Sequence, residues 1–245
     1  KKWLFLDEHL NRLFQAAKAI DLDIKLNKNE LIKAMEDTRN VNNMTDQAHA
    51  RLMITRGVKA KPFQQPSLSI DGPTIVIIME HSDDSSKNEP INLATVPQIR
   101  GTPMIQDPKL NTHSKLNCIL ACIQAEKAGA DEALMLDPLG FVNTCNSCNF
   151  FIVKNGEVWT STGDYCMNGI TRSKIIELCN KNKIPVFEKN FSLVDVYDAD
   201  EAFVTGTLGS ITRVTSIDKR IVEDKSKLGI INKLQSLYID LILNV

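Results

Sequence analysis

Lys115, in the stretch SKLN, stands at the start of a helical pattern after an irregular loop near the middle of the chain. A lysine amine forms a Schiff base with an aldehyde where its surroundings favour the neutral form. Further on, Gly169 opens the segment GITRSKIIEL. The backbone N–H groups of Ile170 and Thr171 and the Thr171 hydroxyl then stand at a helix N-terminus, a ready anion site. Thr205-Gly206-Thr207 is a second turn, of small residues that let backbone approach a ligand. Cys145-x-x-Cys148 has the spacing of a metal or redox pair. Each feature also has an ordinary reading: a solvated lysine, a capped helix, a glycine turn, two loop thiols. For the cysteines the ordinary reading is preferred. A structural zinc takes four ligands, and His9, His49, His81 and His113 are scattered without a pair. A thioredoxin-like motif opens a helix after a strand, whereas both flanks here read as strand.

The elements that must position these groups can be read from pattern. Residues 7–20 have helical periodicity, with Leu10, Leu13, Phe14 and Ala17 on one face and Asp7 as N-cap. A second helix is expected over 28–39, and strands over 50–57 and 73–80. The polar stretch 82–90 reads as a linker. The expected domains are therefore 1–81, small and incomplete at its start, and 91–245, larger and cofactor-binding. The second half alternates: a strand over 91–100, then a helix over 114–129 with Ser114 as N-cap and Gly129 past its end. Strands follow on either side of the cysteines, with a hairpin turn at Asn155-Gly156. A helix over 170–182, another strand, two short strands around a Gly-rich turn within 201–218 and an amphipathic helix over 225–242 complete the pattern. The fold class expected is mixed α/β (α+β) in two domains.

Composition narrows the function classes. The chain has 245 residues, 43% hydrophobic and 24% charged, with a formal net charge of -1. That balance supplies no electrostatic footprint for nucleic acid or an anionic membrane. No apolar run approaches the roughly 18 residues that span a bilayer. Six cysteines in a chain of this length do not make a disulfide scaffold, and a cytoplasmic location with reduced thiols is expected.

The order HLNRL, ARLMITRG, SKLN, GADEALMLD, NFFIVKNGEVWTS, NGITR, ADEAFVTGT resembles the class IV pyridoxal-phosphate aminotransferases over nearly the whole chain. The resemblance implies a two-domain fold of type IV with cofactor and substrate between the domains, and a homodimer. Pyridoxal 5'-phosphate is the implied cofactor, and an amino acid and a 2-oxo acid are the implied small-molecule substrates. It further implies Lys115 as the Schiff-base lysine, with Lys109 as the alternative. Arg12, Ile170, Thr171, Gly206 and Thr207 are implied at the phosphate and Met167 on the ring face. Arg51 is implied near the substrate, and Lys61 falls near a carboxylate-binding position.

Two departures stand out. Thr144 occupies the position of the glutamate that pairs with the pyridine nitrogen in this family, so the ring should be a weaker electron sink. The family also has strands ahead of the HLNRL helix, and this chain starts close to it. A lyase acting on an aromatic precursor and a non-catalytic family member are the competing readings.

Overall fold

The computed structural model describes residues 2–81, 89–222 and 229–244. The backbone divides into two compact units, Lys1–Asp84 and Ser85–Val245. Of the linker expected over 82–90, residues 82–88 lie outside the described residues.

The first unit sets two helices, α1 (Leu6–Ala19) and α2 (Lys28–Val41), with an antiparallel pair, β1 (Ala48–Thr55) and β2 (Thr74–His81). Leu10, Ala17, Ile24 and Leu31 form the core, with Leu52, Ile54 and Ile75 packed on it from the strands. The α1 start differs from the sequence expectation. Phe5, in the left-handed region at φ 52°, takes the cap position without a side-chain cap bond. Asp7 falls inside the first turn, where its carboxylate still favours the positive helix end. α2 begins with a capping box: the Asn27 side chain accepts from the Glu30 N–H at 3.1 Å, and Glu30 accepts from the Asn27 N–H at 2.7 Å. In the loop between the strands, Gly57 has φ 77°, and a Cβ there would meet the Gly72 carbonyl oxygen at 1.8 Å. No side chain fits at that position.

The second unit is built on a nine-stranded mixed sheet. Its strands are β3 (Ile91–Thr95), β4 (Glu132–Leu136), β5 (Val142–Cys145), β6 (Asn149–Lys154), β7 (Glu157–Thr160), β8 (Val186–Glu188), β9 (Glu201–Gly206), β10 (Ser210–Ile217) and β11 (Arg220–Ile221). Its helices are α3 (Leu116–Ala128), α4 (Ile170–Lys181), the short α5 (Leu193–Tyr197) and α6 (Ile230–Leu243). β9 pairs with both β10 and β6, so the path β10-β3-β4-β5-β6-β9 returns to β10 and closes a ring. All six ring strands send side chains into one core, among them Leu93, Leu134, Cys145, Phe150, Ile152, Ala202, Val204 and Val214. Closure removes two free edges, which would otherwise invite mispairing.

Local chemistry accounts for several boundaries. The hairpin between β6 and β7 turns at Asn155 (φ 52°) and Gly156 (φ 80°), the left-handed pair that a two-residue turn requires. β3 stops at Thr95, short of the expected 91–100, yet the chain stays tied to β4 through Val96 N–H to Leu134 O (3.2 Å) and Arg100 N–H to Leu136 O (2.8 Å). α3 begins one residue later than a Ser114 cap would require. Lys115 takes the cap position, and the Ser114 hydroxyl bonds the Gln106 side chain at 3.1 Å instead. α5 has no periodic signal because it is five residues long, and a Ser192–Asp195 capping box holds its start.

Candidate functional site

Directly opposed residues on neighbouring strands share a face. The registers Met135↔Thr144, Thr144↔Asn149 and Asn149↔Thr205 therefore lay four side chains in a row across β4, β5, β6 and β9. Phe151 and Phe203 stack beside the row, 4.8 Å between centroids. Thr144, Asn149 and Thr205 are all buried, so three adjoining strands place polar groups inside an apolar layer. Such groups are costly unless bonded or kept for a ligand.

Their bonds define the site. The Thr144 hydroxyl donates to the Cys148 carbonyl at 2.6 Å, so its proton is already committed. The Asn149 amide donates to the Met167 carbonyl at 2.9 Å and lies 3.5 Å from the Thr144 oxygen. The Thr205 hydroxyl is buried with no partner among the described residues. Asn149 thus ties the sheet to the loop that enters α4. That loop passes so close that a Cβ on Gly169 would sit 2.3 Å from Asn149 Oδ1.

At the head of α4, Gly169 offers no side-chain cap, and the Ser173 N–H is the first to return to the Gly169 carbonyl. The N–H groups of Ile170 and Thr171 carry no bond among the described residues. Thr171 is buried, and its hydroxyl acts on Tyr238 of α6, whose pKa burial raises and Thr171 lowers. Arg172, buried, bonds Ser161 O and Glu188 Oε2, each at 2.7 Å, and fixes the helix to β7 and β8. Thr207 is exposed in the β9–β10 turn. A Cβ on Gly206 would meet only Cys148 Sγ, at 3.6 Å, so nothing in the protein itself demands glycine there.

Lys115 is half-buried at the α3 cap, and its Nζ donates to Asn111 Oδ1 at 3.2 Å. Lys109 is exposed, and its N–H bonds the Asp107 side chain. In the first unit, Arg12 is half-buried on α1 with its pKa lowered by burial, and Arg51 is exposed on β1. His9, near Arg12, is pushed down to about 4, first by burial and then by the Arg12 charge.

The cysteine pair serves packing. Burial raises the Cys145 thiol well above its usual range and pushes Cys148 up to about 11. A thiol held protonated is a poor nucleophile and a poor metal ligand. Cys118 and Cys122, at helical spacing, are half-buried on α3. Asn149 was not legible as a site residue in the sequence, and Thr205 was read only through the backbone of its turn, not through its buried hydroxyl. The one available signal was a lone asparagine opening the apolar run Phe150-Phe151-Ile152-Val153.

Open N–H groups at α4, an unpartnered buried hydroxyl at Thr205, room at Gly206 and a lysine at a helix start fit a phosphorylated aldehyde cofactor. Comparison with known proteins agrees. The sequence profile of the amino-transferase class IV family matches residues 1–217. The chain is 36% identical over 234 residues to branched-chain-amino-acid aminotransferase-like protein 1 of Arabidopsis thaliana, covering 95% of this chain and 42% of that protein. It is 37% identical over 243 residues to a putative branched-chain-amino-acid aminotransferase of Methanocaldococcus jannaschii, covering 96% and 81%. The fold matches the crystal structure of a branched-chain aminotransferase from Thermoproteus uzoniensis with norvaline at a TM-score of 0.86 and 30% identity, over 98% of this chain and 79% of that one. The chain thus spans under half the length of the plant relative and about four-fifths of the archaeal ones. By profile and fold together, the chain belongs to the class IV aminotransferases, whose cofactor is pyridoxal 5'-phosphate.

Proposed function

We propose that the chain catalyses transamination between an amino acid, with branched-chain donors as first candidates, and a 2-oxo acid. The observation that carries this reading is the buried polar row Thr144-Asn149-Thr205 tied to the open α4 N-terminus in a chain of this family. When bound, the cofactor supplies a conjugated ring that withdraws electrons from the substrate Cα. The chain's own residues do the rest. Lys115 would hold the cofactor through its amine and would carry the proton to and from the substrate Cα. The N–H groups of Ile170 and Thr171, with Thr207 at the Gly206 turn, hold the phosphate. Met167 would supply an apolar side chain for the ring. Arg12 and Arg51 are proposed as anion-binding side chains of the first unit.

A second reading, a family member that keeps the cofactor but turns over slowly, is favoured by Thr144. A hydroxyl whose proton goes to the Cys148 carbonyl is neutral, and a neutral partner holds a pyridine-nitrogen proton less firmly than a carboxylate does.

We also infer that the working form is a homodimer. Leu116, Ile119, Leu120 and Ile123 form one stripe of α3 and are 69%, 53%, 43% and 40% exposed. A helix normally turns such a stripe inward.

Purified protein incubated with pyridoxal 5'-phosphate should acquire the absorption of a lysine-bound cofactor, and Lys115→Ala should lose it while Lys109→Ala keeps it. Loss on Lys109→Ala alone would reassign the lysine. A panel of L- and D-amino acids with 2-oxo acids then reads transfer directly.

A further inference from the structure

Arg100 is half-buried in the second unit, and its guanidinium meets no carboxylate among the described residues. Its Nε reaches the Tyr165 carbonyl at 3.4 Å, and its Nη1 reaches Cys118 Sγ at 3.1 Å. A long bond to a carbonyl and a bond to a thiol, a weak acceptor, compensate poorly for withdrawing a guanidinium from water. Two other arginines of the unit are served differently: the buried Arg172 pairs with Glu188 at 2.7 Å and the half-buried Arg213 with Glu201 at 3.2 Å. The loop's own acid, Asp164, is exposed and accepts from the Thr162 hydroxyl at 2.8 Å.

Its position gives the unpaired cation a use. Cys118 lies in the first turn of α3, three residues after Lys115. Tyr165 precedes Cys166, which is buried beside the Asn149 amide at 3.7 Å and feels the charge of Arg100. Arg100 therefore bridges the start of the lysine helix and the loop that Asn149 ties to Thr144. Its backbone N–H is bonded to Leu136 O at 2.8 Å, which holds that bridge against the end of β4.

We propose that Arg100 binds a substrate carboxylate. This rests on the aminotransferase reading, because amino and 2-oxo acids both present that group. A carboxylate displaces the weak sulfur and carbonyl acceptors and takes two parallel N–H groups of the planar guanidinium. The carboxylate has two possible sources. It is either the one common to every amino acid or the second carboxylate of a dicarboxylic substrate.

The test uses the cofactor-loaded chain, titrated by calorimetry with two unreactive acids, maleate and 4-methylpentanoate. Arg100→Gln should weaken binding by about tenfold or more, the scale of one charge-assisted pair. Arg100→Lys should recover part of the loss, and thermal melting checks that both variants fold. Loss for both acids assigns Arg100 to the common carboxylate, and loss for maleate alone assigns it to the second one. Unchanged affinity for both acids overturns the proposal. So does a fall in cofactor affinity with carboxylate binding intact, since the anion served would then be the phosphate. Failure of the aminotransferase reading shows separately, as carboxylate binding that depends on Arg100 without amino transfer from any donor.

Discussion

Gly169 meets Asn149 at a distance that leaves no room for a methyl group. Gly169→Ala must push Asn149 off the Met167 carbonyl or displace the α4 start. The expected cost is about 1–3 kcal/mol of stability, the range for overpacking, with weaker cofactor binding, read by denaturant unfolding and cofactor titration. An unchanged unfolding midpoint would show that the loop absorbs the methyl group. His9 gives a pH prediction in the first unit. Its folded pKa, about 4, lies below the ordinary histidine value of 6.5. The unfolded chain therefore binds more protons, and stability is full above pH 6.5 and lost as pH falls toward 4. The whole shift corresponds to about 3 kcal/mol, and partial solvent access reduces this to roughly 1–2 kcal/mol. His9→Asn should flatten the dependence of the unfolding midpoint between pH 7 and 4. Arg12 and His49, whose charges also disfavour His9 protonation, remain in that variant.

At the scale of elements, α6 depends on a residue outside it. Glu201 of β9 is buried and accepts from the N–H groups of Ile230 (2.9 Å) and Ile231 (3.4 Å), and from Arg213 (3.2 Å). It caps a helix whose own cap position is a glycine. Glu201→Ala leaves Arg213 and two helix N–H groups without their acceptor, at an expected cost of about 2–4 kcal/mol. Hydrogen exchange should show α6 losing protection before the ring strands do. Loss spread evenly over the unit would contradict this local role. The acid-to-helix contact was invisible in the motif ADEAFVTGT, where the same residue read only as part of a family signature.

At the scale of the whole molecule, the exposed α3 stripe carries the assembly prediction. Ile123→Lys, placed away from Lys115, should convert a dimer to a monomer in sedimentation at micromolar concentration and leave the fold intact by circular dichroism. A variant that remains dimeric would move the interface off α3. The ring makes its own demand, because Phe151 and Phe203 stack between β6 and β9 where the ring closes. Phe151→Ala should cost about 3–5 kcal/mol.

Much of this protein was determined by local chemistry and is legible in the sequence. Periodicity placed most of the helices, and the left-handed pair Asn155-Gly156 placed a hairpin, because helix faces and turn dihedrals depend on residues close in the chain. The order of motifs carried the family. Tertiary structure alone decided what those residues meet. Strand closure through β9 puts Thr205 opposite Asn149, residues 56 positions apart in the chain. It also decided that the Ser114 hydroxyl turns to Gln106 rather than capping α3, and that Arg100 meets no acid among the described residues. Register, burial and the supply of hydrogen-bond partners are set by segments distant in sequence, and no local pattern encodes which of them arrive.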